Sequence, residues 1–191
     1  MPSIKILTPI VPGGVYHVYN RGNNYEKVFF KERDYLFFLN RLKKYLLPVA
    51  EFYAYALLPN HYHFLLRVKE EVADGQFSKQ FSNFMSSYSM VINKREGRTG
   101  NLFHRPFKRL RVYNEEYLYR LLYYIHHNPE SHDYCSNFRK YKYSSYSPIL
   151  TNRLNIIDRD VVISWFDDLE GLIEFHNLKF EEDRLRNLTM E

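Results

Sequence analysis

The chain has 191 residues, a formal net charge of +5, 18% aromatic residues and a single cysteine, Cys135. That length suits one domain with a proper core, one cysteine excludes an internal disulfide or a thiolate metal cage, and no apolar run reaches the ~18 residues of a membrane span. The charge is uneven: residues 1–151 carry 22 Lys/Arg against 12 Asp/Glu, and residues 152–191 carry 5 against 10.

A basic body with a small acidic end suggests a polyanion partner for the body. The start, "MPSIKILTPIVPGG", has one lysine and no small-residue cleavage site, so no secretory signal is expected and a cytoplasmic location is the expectation.

In chain order, "VYHVYN" (15–20) reads as a strand rich in β-branched and aromatic residues, ended by the turn "NRGN". Leu36, Leu39, Leu42 and Leu46 recur at helical spacing over 33–47, and Pro48 stops that helix. "EFYAYALL" (51–58) and "HYHFLLRV" (61–68) are strands joined by the Pro59–Asn60 turn. Phe77, Phe81, Phe84, Tyr88 and Ile92 mark one stripe of a helix over 77–94. The basic stretch that follows (94–112) is expected to loop into a short fourth strand. A helix over 114–129 opens with Asn114 as cap and two early glutamates, and is expected to end at Pro129. A tyrosine-rich link (141–148) then leads to two short helices over 158–169 and 171–187.

The order β-α-β-β-α-β, then a helix, matches the split βαβ pattern of ferredoxin-like folds. The expectation is an α+β fold, with an antiparallel sheet, helices on one face, and a small helical C-terminal extension. Residues 1–150 form the main domain and 151–191 the acidic extension.

On the strand 61–68 the side chains alternate, so His61, His63, Leu65 and Arg67 share one face and Tyr62, Phe64, Leu66 and Val68 the other. The second row is suited to packing under helices, so the strand is expected to be buried on that side only. Two imidazoles ~6.5–7 Å apart at their Cα atoms can converge on one divalent cation. They can equally be incidental histidines bonded to neighbours. A metal site needs a third ligand and a reactive partner.

The segment "YYIHHNP" (123–129) could supply both. It offers two pairs four residues apart, Tyr124 with Asn128 and Tyr123 with His127. Leu118, Leu122 and Ile125 define the apolar stripe, and at ~100° per residue Tyr123 points roughly opposite to it. Tyr124 and Asn128 sit at its edge, where a side chain touches the sheet and still meets substrate. Tyr124 is the better candidate.

"NHYHFLL", "GNLFHRPFKRLRV", "YIHHNP" and "YSSY", in that order, resemble the REP-associated tyrosine transposases of the single-tyrosine HUH superfamily, and "YHVYNRGN" is similar to that family's first strand and turn. The resemblance spans about residues 13–148. It implies a ferredoxin-like nuclease in the main domain that cuts and rejoins single-stranded DNA, with hairpin-forming repeats as substrate. By resemblance, His61 and His63 fill the HUH positions, Tyr124 the nucleophile and Asn128 the third metal ligand.

A nitrogen and oxygen donor set without thiolate fits Mg²⁺ or Mn²⁺, although imidazoles also accept Zn²⁺ or Ni²⁺. Attack by a tyrosine would leave a 5′-phosphotyrosine and a free 3′-hydroxyl, retaining the bond energy for rejoining. His126, His127 and water are all open as acceptors of the phenol proton. For DNA contact the candidates are Arg21, Lys94, Arg95, Arg98, Arg105, Lys108, Arg109 and Arg111, with Phe103, His104 and Phe107 among them for stacking on unpaired bases. A monomer is favoured over a homodimer, because one chain carries every part. The rival readings are a non-catalytic single-strand-binding module on the same fold, and a metal-dependent hydrolase that activates water.

Overall fold

The computed structural model describes residues 8–153, 156–178 and 180. Four strands, β1 (Val15–Arg21), β2 (Ala50–Leu58), β3 (His61–Val68) and β4 (Lys108–Arg111), form one antiparallel sheet in the order β2-β3-β1-β4. Helix α1 (Glu32–Tyr45) connects β1 to β2, and α2 (Gln76–Arg95) connects β3 to β4. Strands β1 and β2 therefore run parallel with β3 threaded between them. That is the split βαβ arrangement expected of an α+β ferredoxin-like fold.

The row Tyr62, Phe64, Leu66, Val68 packs under α1 and α2. Phe38 of α1 lies 5.3 Å from the Tyr62 ring and 4.7 Å from Phe84 of α2. An ion pair ties the two helices: Arg95, late in α2, gives two hydrogen bonds of 2.6 and 2.8 Å to Asp34, in the first turn of α1. The Asp34 carboxylate also accepts the backbone N–H of Phe30 and Lys31. Burial alone would raise its pKa; these four bonds lower it below the usual carboxylate range.

The opposite face is covered too, which departs from the expectation of helices on one face. Helix α3 (Glu115–Ser131) crosses it and packs on β2. There Ala54 and Ala56, opposite Leu65 and His63 in the register, present only methyl groups. Their small size admits Leu121, Leu122 and Ile125, all fully buried. The strand expected to be buried on one side is thus buried on both, His63 and Leu65 included. Helix α3 also runs through Pro129 to Ser131, because a proline near a helix end forfeits only one backbone bond.

Beyond it, the expected link contains helix α4 (Tyr146–Thr151). Helices α5 (Arg159–Ser164) and α6 (Leu169–Phe175) are shorter than the spacing suggests. Asp168 caps α6 by accepting the Gly171 N–H at 2.8 Å. The turn before it is so tight that a β-carbon on Gly171 would lie 2.2 Å from the Phe166 carbonyl oxygen. Of the helix expected over 171–187, residue 179 and residues 181–187 lie outside the described residues. No helix among the described residues is long and apolar enough to cross a membrane.

Candidate active site

The buried face between β3 and α3 gathers His61, His63, Tyr124 and Asn128 within one chain. His61 begins β3 directly after the Pro59–Asn60 turn, and its Nδ1 lies 2.6 Å from Asn60 Oδ1. That oxygen can only accept, and it also takes the Tyr134 hydroxyl hydrogen at 3.1 Å. His61 Nδ1 therefore carries the ring hydrogen, and Nε2 presents its lone pair. Facing Nε2 at 3.1 Å is Asn128 Oδ1, another acceptor, on a fully buried residue.

Two acceptors so close and so dry need a hydrogen or a positive centre between them. A proton on Nε2 is disfavoured: burial, reinforced by His132 and Arg21 and opposed by the Asn128 bond, holds the His61 pKa at about 4. Alternatively, a half-turn of the Asn128 amide would place N–H against Nε2. A divalent cation suits the spacing as it stands, since neighbouring ligands of an octahedral ion with ~2.1 Å bonds lie ~3 Å apart. His63 is the next side chain on this face, its ring 5.2 Å from that of His61. These residues fit a cation held by two imidazoles and one amide oxygen. Among the described residues no three His, Cys, Asp or Glu side chains form a metal site.

The Tyr124 ring meets His63 edge-on, with centroids 5.5 Å apart. Tyr123, expected to point away from the apolar stripe, is instead buried under the C-terminal extension. Its hydroxyl donates to the Leu178 carbonyl at 3.0 Å, and its ring packs against Phe175 and Phe180.

The two histidines that follow are committed elsewhere. His176 Nδ1 donates to the Leu172 carbonyl at 2.8 Å, so its Nε2 accepts, from His126 Nδ1 at 2.8 Å. His126 Nε2 then accepts the Ser145 hydroxyl hydrogen at 2.8 Å, and Ser145 Oγ accepts the Tyr55 N–H at 2.9 Å. Burial keeps both rings neutral, holding His126 well below the usual histidine range and His176 at about 4. His127 donates from Nδ1 to the Tyr123 carbonyl, and its ring stacks between Tyr123 and Phe138.

The candidate DNA-contacting cations separate into groups. Arg21 stands opposite His61 in the register, and Lys108 stands opposite Tyr19, itself opposite His63. Both belong to rows on the histidine face. Arg95 is held by Asp34, Arg98 pairs with Glu26, and Arg109 donates to the Thr8 carbonyl. Arg109 and Arg111 alternate onto the α2 side of the sheet. Lys94 and Arg105 are exposed. Arg105 borders a groove of about 600 Å³ between α2 and the loop before β4, with Phe81, Ser86, Phe103 and Phe107 in its walls and Asn20 from β1.

One residue of this site escaped the sequence reading. His17 of β1 is fully buried, with its Nε2 2.9 Å from His63 Nδ1 and its ring 6.3 Å from Tyr124. Alternation along β1 was legible, but the register that sets β1 beside β3 was not.

No family model matches this sequence, and no curated protein does. Among solved structures the chain is similar to a REP-associated tyrosine transposase bound to a REP hairpin. The TM-score is 0.64 and the identity 17%, over 81% of this chain and 89% of that one. At that identity the likeness establishes a common fold. It is with the same family that the sequence motifs resemble.

Proposed function

We propose that the protein is a divalent-metal-dependent, single-stranded DNA endonuclease and strand transferase in which Tyr124 is the nucleophile, acting on hairpin-forming DNA. The observation that carries this reading is the meeting of β3 and α3: a 3.1 Å approach of His61 Nε2 to Asn128 Oδ1, with the Tyr124 ring edge-on to His63 at 5.5 Å. The similar transposase was solved with a hairpin bound, which supports the same class of substrate here.

His61, His63 and Asn128 would hold Mg²⁺ or Mn²⁺. A cation bound there supplies Lewis-acid polarisation of a non-bridging phosphate oxygen. Arg21 and Lys108 flank the site on its own face and attract the phosphate backbone. Tyr124 attacks in line: its oxygen bonds to phosphorus, the bond from phosphorus to the 3′-oxygen breaks, and that oxygen leaves as a 3′-hydroxyl after taking up a proton. The product is a 5′-phosphotyrosine that a second 3′-hydroxyl can reverse. A phenol ordinarily keeps its proton up to pH ~10. Of the acceptors open in the sequence, His126 has no lone pair left and His127 is stacked between two rings. Water is the one that remains. The groove beside Arg105 suits unpaired bases stacking on the half-buried Phe107, while Phe103, expected to share that duty, is buried in the core against Tyr62 and Tyr88.

The test is incubation of the full chain with a labelled hairpin bearing single-stranded flanks, with Mg²⁺ or Mn²⁺, followed by a denaturing gel. A covalent adduct on the 5′ side that disappears with EDTA is expected. Binding that persists in EDTA with no adduct under any condition would instead identify a non-catalytic module. Cleavage without adduct would identify a water-using hydrolase. Sedimentation of the active species tests the monomer, which a site assembled within one chain favours.

A further inference from the structure

We infer that His17 is a positioning residue for His63, accepting its Nδ1 hydrogen so that the Nε2 lone pair is left for the cation. This rests on the reading of the site given above and adds a member to it. His17 and His63 are both fully buried, and Nε2 of the first lies 2.9 Å from Nδ1 of the second. Two imidazole nitrogens at that distance share one hydrogen, and for uncharged rings only two arrangements exist. Either His17 donates and His63 carries its own hydrogen on Nε2, or His63 donates and keeps the Nε2 lone pair.

Coordination through Nε2 is compatible only with the second arrangement. It places the His17 hydrogen on Nδ1, a buried atom with no hydrogen-bond partner among the described residues. An ion that takes the Nε2 lone pair of His63 therefore selects this arrangement over the other. The ring is fixed for this duty by its neighbours. Tyr19 stacks on His17 at 4.6 Å and 21°, and Tyr124 closes on it edge-first at 6.3 Å. His61 reaches the same state by donating to Asn60. Each imidazole in the proposed site thus has a partner that sets its tautomer, and outer partners of this kind typically change metal affinity 10–100-fold.

The test uses the full-length protein and two readouts that do not depend on activity. Mn²⁺ affinity is followed by electron paramagnetic resonance for the parent, His17→Leu and His17→Gln, with folding checked by circular dichroism. Loss of ten-fold or more in His17→Leu is expected, with recovery to within about three-fold in His17→Gln, whose amide oxygen can accept in place of Nε2. In the Mg²⁺-loaded parent, nitrogen-15 spectra of the imidazoles should place the His63 hydrogen on Nδ1 and the His17 hydrogen on its own Nδ1. Equal Mn²⁺ affinity in folded His17→Leu, or a His63 hydrogen on Nε2 in the loaded protein, overturns the role of His17 alone. A parent that takes up no Mn²⁺ overturns the metal site itself.

Discussion

Tyr123 and Tyr124 are consecutive on α3 and serve different neighbours: one hydroxyl donates to the Leu178 carbonyl, while the other ring stands against His63. About 100° of helical rotation separates them, enough to divide them between the C-terminal extension and the sheet. Tyr124→Phe should abolish the covalent adduct. Tyr123→Phe should keep it within a few-fold and lower stability by about 1 kcal/mol, the worth of one hydrogen bond. An adduct formed at the parent rate by Tyr124→Phe removes that residue from the reaction.

Asn128→Ala removes the oxygen facing His61 Nε2. A ten-fold or greater fall in Mn²⁺ affinity is expected from losing one ligand of three, and adduct yield at limiting Mn²⁺ should fall with it. Calorimetric titration of the folded variant measures the first. An unchanged binding isotherm would exclude the amide from the metal site.

Cations near the DNA should differ in what they disturb. Lys108→Ala and Arg21→Ala should each weaken binding to single-stranded DNA and reduce the salt slope by about 0.7, one phosphate contact apiece. Arg95→Ala should act on the fold, costing roughly 3 kcal/mol by stranding the buried Asp34 carboxylate. Fluorescence anisotropy against salt and urea unfolding separate the two effects. A full salt-slope loss in Arg95→Ala with unchanged stability would reverse their assignment.

His176 sets a pH dependence of stability. Unfolded, it takes a proton near pH 6.5; folded, burial delays this to about 4. Between these values the unfolded chain binds more protons, so stability is complete above pH 6.5 and declines as pH falls towards 4. One such histidine accounts for about 2 kcal/mol between pH 7.5 and 5. His176→Gln should flatten the parent's acid slope by that amount in urea titrations at the two values. Parallel profiles for parent and variant would mean that the ring titrates normally in the fold.

The parts of this fold written in short-range pattern were legible. Alternation set His61 and His63 on one face of β3, and the spacing of Phe77, Phe81, Phe84, Tyr88 and Ile92 gave α2 almost to its ends. Hidden were the choices made across long stretches of chain. Arg95 looked like a DNA contact because its partner, Asp34, lies 61 residues earlier. His126 looked like a base because its acceptor, His176, lies 50 residues later. The cover over the histidine face depends on α3 crossing the sheet, which no local periodicity states.

His126 hands its one N–H to His176, so the acidic end is fastened to the helix bearing the phenol. The drop in charge after residue 151 is therefore a poor place to cut. A chimaera joined there would sever a proton donor from its acceptor inside the protein, and a graft of this site onto another scaffold should carry the chain through residue 178.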